Sequence, residues 1–229
     1  MAPGFRYDLP AMARALSPAT RMVFLANPDN PTGTAFSRSD LEAFLPRVPE
    51  DCLVVLDEAY FEFVDWKEYP NGLELLPRWP NLVVLRTFSK AHGLAGLRLG
   101  YGVMRPELVG YLHRTRMPFN VTSLAQAAGL AALEDVDHVR RTRELNLSEL
   151  PRVRGELLAL GLTVPESYGN FLFVDLGRPA GPVAEALLSK GVIARPIPGY
   201  GFPRALRISV GLPDWNTRML AALRTVLQG

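Results

Sequence analysis

Three continuous apolar runs constrain this chain more than any other feature: Met22-Val23-Phe24-Leu25-Ala26, Leu53-Val54-Val55-Leu56 and Leu82-Val83-Val84-Leu85. Each is too short for a buried helix and lacks the alternation of a half-exposed strand. Each therefore reads as a strand buried on both faces. Helical patterns flank them: Leu9, Met12, Ala13 and Leu16 repeat at helical spacing, and Ser37 or Ser39 can cap a helix carrying Leu41, Phe44 and Leu45. Buried strands alternating with helices specify an α/β fold with a mostly parallel sheet. The runs end in polar residues: Asn27-Pro28-Asp29-Asn30-Pro31-Thr32-Gly33, Asp57-Glu58-Ala59-Tyr60, and Thr87-Phe88-Ser89-Lys90. The carboxyl edge of such a sheet is where ligands bind.

The chain then continues through a short strand at Tyr101-Gly102-Val103-Met104 and a helix opened by Pro106. Thr122 or Ser123 caps an alanine-rich helix, and Asp135 begins a long Arg/Glu-rich stretch to Leu160. Pro151 is expected to kink or break that stretch. The remainder changes character: strand Phe171–Leu176, helix 181–190, strands Val192–Arg195 and Leu206–Val210, and a last helix over 214–227. This is a small α+β unit with its own core. The expected domains are 1–145 and 146–229.

Composition excludes some classes of function. A formal charge of +2 with no basic block argues against nucleic acid and against an acidic membrane surface. No apolar run approaches the ~20 residues of a membrane span. The start, Met1-Ala2-Pro3-Gly4, lacks a signal peptide's basic head and apolar body. His92, His113 and His138 have no zinc-like spacing, so no metal is expected. The single cysteine, Cys52, permits no intrachain disulfide, which fits a reducing, cytoplasmic setting.

The chemistry centres on Lys90. The chain has three lysines among its 25 Lys and Arg residues, so an arginine would be its usual cation here. A lysine can lose its proton and act as a nucleophile; an arginine cannot. The strand ends bring together an amine (Lys90), a carboxylate (Asp57), ring-oxygen donors (Asn30, Tyr60), two hydroxyls (Thr87, Ser89) and a guanidinium (Arg98). Strand-end capping is the alternative role for the two hydroxyls. Pyridoxal 5′-phosphate has an aldehyde, a ring nitrogen, a phenolic oxygen and a phosphate to match, and a lysine Schiff base with an aspartate partner is its recognised pattern.

These motifs, with Asn170-Phe171 and Arg207-Ile208-Ser209-Val210-Gly211, stand in the order and spacing of one family. The chain resembles the fold-type I, class I/II pyridoxal-phosphate-dependent aminotransferases, and within them the histidinol-phosphate aminotransferases. The resemblance implies a partial aspartate aminotransferase-like large domain plus the small C-terminal domain. It implies transamination of L-histidinol phosphate with 2-oxoglutarate in histidine biosynthesis, by a cytoplasmic homodimer.

By resemblance, Lys90 holds the cofactor and moves the proton. Asp57 pairs with the ring N–H, and Asn30 and Tyr60 serve the ring oxygen. Thr87, Ser89 and Arg98 bind the cofactor phosphate. Arg207 and Arg195 hold the substrate phosphate, and Asn170 lies near the substrate amino end. The Asn30–Pro31 bond is expected to be cis. His92 is expected to be a packing residue, and Tyr200, in a Gly-Tyr-Gly loop, a structural one. The family's portion preceding the position of Phe5, with its phosphate-binding glycine loop and ring-stacking aromatic residue, is not expected among these residues. Early sheet strands are expected to be missing with it, leaving an unpaired edge. Two other readings stay open: another enzyme of the same class (an aromatic aminotransferase or a threonine-phosphate decarboxylase), and an inactive fragment.

Overall fold

The computed structural model describes residues 4–228. Its first sheet has the order β1 (Met22–Ala26), β2 (Leu53–Asp57), β3 (Leu82–Thr87), β4 (Gly100–Val103). The first three strands are parallel, with Met22 opposite Leu53 and Val54 opposite Leu82; β4 runs antiparallel, with Thr87 opposite Gly100. Two short helices, α1 (Leu9–Ala15) and α2 (Arg38–Phe44), cover one face. Ser37 caps α2 in a reciprocal capping box with Asp40. Leu25, Val54, Leu56 and Val84 meet Leu9, Leu41 and Phe44 there.

On β1 the expectation of burial on both faces fails. Val23 and Leu25 are buried, but Phe24 is 65% exposed and Met22 is 45% exposed. Successive side chains point to opposite faces, and no described element covers the second face at β1.

After the four-residue helix α3 (Gly72–Leu75), in the connection to β3, come α4 (Pro106–Thr115), α5 (Ser123–Glu134) and α6 (Val136–Ala159). Thr122 caps α5 and Asp135 caps α6 through side-chain oxygens. Of the two expected outcomes at Pro151 the break does not occur: α6 runs on through it. Buried side chains on both sides of the proline, Asn146 and Glu149 before it and Val153 and Leu157 after it, anchor the helix. Position 145/146, the expected domain limit, lies inside this helix.

The second sheet has the order β5 (Phe171–Asp175), β7 (Phe202–Ser209), β6 (Arg195–Ile197), all antiparallel. Helices α6, α7 (Ala180–Ser189) and α8 (Pro213–Gln228) pack on it around Leu172, Val174, Leu187, Leu206 and Leu220. The strand expected from Val192 begins three residues later. Gly191, at φ +73°, and Val192 donate their N–H groups to Leu188 and Leu187, so they finish α7 instead. Pro196 is tolerated because β6 is an edge strand. Among the described residues no helix is long and apolar enough to cross a membrane.

Candidate active site

Asp29 builds the turn after β1. Its Oδ2 accepts from the Thr32 hydroxyl at 2.7 Å, while its backbone N–H and carbonyl pair with Thr34 and Gly33. Asn27 is fully buried and exchanges two hydrogen bonds with the Phe36 backbone. The cis peptide bond is Asn27–Pro28; the expected Asn30–Pro31 bond is trans. The turn delivers Asn30 toward the second sheet, where its Oδ1 accepts from Arg207 Nη1 at 2.9 Å.

Asp57 closes β2, and its Oδ1 accepts from the Ala59 N–H at 3.0 Å. A cavity of about 400 Å³ opens there, bordered by Asp57, Ala59, Thr87, Ser89, Lys90 and Arg98. Thr87 Oγ1 accepts from the Ser89 N–H at 3.0 Å, which shapes the bend leading to Lys90. Arg98 holds a left-handed backbone (φ 56°) and donates to the Ala95 carbonyl at 2.7 Å. A cavity of similar volume between α1 and α2, lined by Tyr7, Leu9, Phe36, Asp40, Phe44 and Arg47 among others, holds no lysine.

Lys90 Nζ stands 5.2 Å from the Tyr60 ring centroid, and Tyr60 packs edge-on against Phe171 at 5.1 Å. The Arg207 guanidinium lies 5.0 Å from the Phe171 ring. Burial lowers the Lys90 pKa, the positive charges of Arg207 and Arg98 lower it further, and Asp57 opposes them. Burial raises the Tyr60 hydroxyl, against the pull of Arg207. These two groups respond to the same neighbours because they share one space.

Arg195 lies directly opposite Arg207 across β6 and β7, so the two side chains leave the sheet on the same face. Arg195 is exposed, while Arg207 is half-buried and its Nε has no partner among the described residues. Asn170 immediately precedes β5, and its carbonyl accepts from Val210 N–H. Thus Asp57, Thr87, Ser89, Lys90 and Arg98 share one cavity. Asn30, Tyr60 and Arg207 meet beside it, and Asn170 and Arg195 lie at the ends of second-sheet strands. His92 packs on Phe88 at 5.1 Å, with Nε2 3.9 Å from Glu62. Tyr200 is half-exposed.

The structure adds two residues that the motifs passed over. Glu58 and Arg86 form a buried ion pair at the base of the cavity, which Arg86 also borders, at 2.8 Å. Their only signal in the sequence is charge at the end of an apolar run.

The chain matches the model of the aminotransferase class I and II family over residues 1–223. It is 57% identical over 224 residues to the histidinol-phosphate aminotransferase of Anaeromyxobacter sp. (strain Fw109-5), covering 97% of this chain and 62% of that protein. The chain therefore spans about three fifths of the length of such relatives. The solved structure of histidinol-phosphate aminotransferase from Sinorhizobium meliloti, in complex with pyridoxal-5′-phosphate, superposes with a TM-score of 0.88 at 32% identity, covering 97% of this chain and 62% of that one. A Thermus thermophilus aspartate aminotransferase mutant, at 24% identity and a TM-score of 0.84, covering 97% of this chain and 64% of that one, shares the fold. With the family model spanning almost all of its length and its fold shared with solved aminotransferases, this chain belongs to the aminotransferase class I and II family.

Proposed function

We propose that this chain carries the lysine-bearing site of a pyridoxal 5′-phosphate-dependent aminotransferase that acts on L-histidinol phosphate. 2-Oxoglutarate is the amino acceptor, glutamate the product, and histidine biosynthesis the setting. The observation that carries the proposal is Lys90 on one cavity with Asp57, Thr87, Ser89 and Arg98. That donor set fits the cofactor: an amine for its aldehyde, a carboxylate for its ring nitrogen, and two hydroxyls with a guanidinium for its phosphate. When bound, the cofactor supplies an electron sink for cleavage of the substrate Cα–H bond.

The chain's residues supply the rest. A lowered pKa gives Lys90 a larger neutral fraction, so its amine would be available to hold the cofactor's aldehyde carbon and to accept and return a proton at Nζ. Asp57 keeps the ring nitrogen protonated. Arg207 occupies Asn30 Oδ1, which leaves the Asn30 amide N–H groups to donate to the ring oxygen beside Tyr60. Arg195 and Arg207, opposite one another on β6 and β7, suit a dianionic phosphate better than a single carboxylate. Asn170 stands near the substrate amino end. A cytoplasmic homodimer belongs to the same proposal.

The test is transamination measured with histidinol phosphate, phenylalanine and threonine phosphate, with 2-oxoglutarate as acceptor. A preference of at least about tenfold for histidinol phosphate is expected. Equal rates with phenylalanine contradict the substrate assignment.

A further inference from the structure

Beneath the candidate site lies a polar cluster that none of the roles above uses. Glu58 Oε2 accepts from Arg86 Nε at 3.0 Å and from Nη2 at 2.8 Å, and Glu58 Oε1 accepts from the Gly72 N–H at 2.7 Å. Arg86 Nη2 also donates to Asn71 Oδ1 at 2.9 Å, and its guanidinium lies 3.6 Å over the Phe61 ring. The Glu58 side chain is fully buried and that of Arg86 is 10% exposed. Burial raises the Glu58 pKa; the Gly72 N–H and Arg86 pull it back.

The pair sits where strand alternation puts it. Asp57 stands opposite Leu85 in the β2–β3 register, and both border the cavity with Thr87. Residues 58 and 86 are one step along each strand, so their side chains alternate to the other face, while Arg86 also borders the cavity between Leu85 and Thr87. A Cβ on Gly72 would meet Leu56, Val84 and Glu58 together, which places the pair on the buried helix-covered face. Glu58 therefore follows Asp57 and Arg86 precedes Thr87, and the pair joins the two strand ends from below.

A buried ion pair adds little net stability over a well-packed apolar pair. What it adds is geometry. Three N–H groups converge on one carboxylate and set the separation of the two strand ends that carry Asp57 and Lys90. We propose that Glu58 and Arg86 are positioning residues, which hold Asp57 and the Thr87–Lys90 segment at the spacing the cofactor requires. This rests on the functional reading above.

The test uses the full chain with two variants, the double Glu58→Met/Arg86→Met and the milder Arg86→Lys, which keeps the charge and loses the paired donors. Three quantities are measured: the unfolding midpoint, the Lys90 pKa by ¹³C-dimethyl-lysine NMR without cofactor, and pyridoxal 5′-phosphate affinity by absorbance. Lys67→Arg and Lys190→Arg leave a single lysine signal. The expected result is folded variants whose Lys90 pKa rises toward the ordinary lysine value, in the double variant more than in Arg86→Lys. Cofactor affinity should fall about 10- to 100-fold in the double variant, the scale of a small misplacement of reacting groups. If the double variant fails to fold, Arg86→Lys carries the same readouts. A folded variant with unchanged Lys90 titration overturns the positioning role. If the parent chain binds no cofactor, the functional reading fails, while the Lys90 titration still decides whether the pair positions that amine.

Discussion

Arg207 Nη1 donates a hydrogen bond to Asn30 Oδ1 at 2.9 Å, joining residues 177 positions apart. One residue lies within the turn that follows β1 of the large sheet; the other lies in β7 of the small one. The bond ties the proposed ring-oxygen amide to the proposed phosphate arginine. Asn30→Ala removes the acceptor and leaves a half-buried guanidinium short of a partner. A stability loss of about 1.5–3 kcal/mol is expected, by the usual worth of a hydrogen bond to a charged group. Urea unfolding measures it; an unchanged midpoint contradicts the link.

Lys90 gives a pH signature. Its folded pKa lies below the ordinary 10.5, because burial and the Arg207 and Arg98 charges disfavour the ammonium. Between those values the unfolded chain binds more protons, so stability rises with pH. The penalty is fully present below the folded pKa and gone above the ordinary one. Lys90→Met therefore unfolds at higher urea than the parent at pH 7, and the gap closes as pH approaches 10.5. A variant less stable than the parent at pH 7 contradicts this.

Gly33 has a left-handed φ of +75°, and a Cβ there would stand 2.2 Å from Ser167 Oγ. That hydroxyl cannot swing away freely, since it donates to the Phe171 carbonyl at 2.7 Å. The Gly33 carbonyl also accepts from Tyr168 N–H at 2.8 Å. Gly33→Ala is expected to cost about 2–4 kcal/mol from backbone strain and overlap. Adding Ser167→Gly should recover part of the loss. A thermal melt of the single and double variants decides, and full tolerance of the single change contradicts the contact.

Asn216 organises the end of the arginine strand. Its Oδ1 accepts from Gly211 N–H at 2.9 Å, and its Nδ2 donates to Glu149 at 2.7 Å and to the Gly211 carbonyl at 2.9 Å. Only 3% of the residue is exposed. Asn216→Leu strands those partners, and a loss of about 2–4 kcal/mol is expected. Denaturant titration checks it.

The strand ends were legible because their signal is local. An apolar run fixes a buried strand, and the polar residues after it must lie at the sheet's edge, as Asp57 and Lys90 do. Contacts between distant segments were not legible. Nothing local marks Arg207 as the partner of Asn30, or Glu58 as the partner of Arg86, 28 residues away. Two local expectations, a buried second face at β1 and a break at Pro151, yielded to tertiary context. Phe24 is exposed because no described element covers its face. Pro151 stays helical because buried neighbours hold both sides of α6.

The most direct measurement is the visible absorption spectrum of the folded chain with added pyridoxal 5′-phosphate, followed by borohydride reduction and peptide mapping. The expected result is a visible band that reduction abolishes, with the reduced adduct on Lys90 and none on Lys67 or Lys190. A folded chain that gives no band, or an adduct on either other lysine, contradicts the assignment of Lys90 as the cofactor lysine.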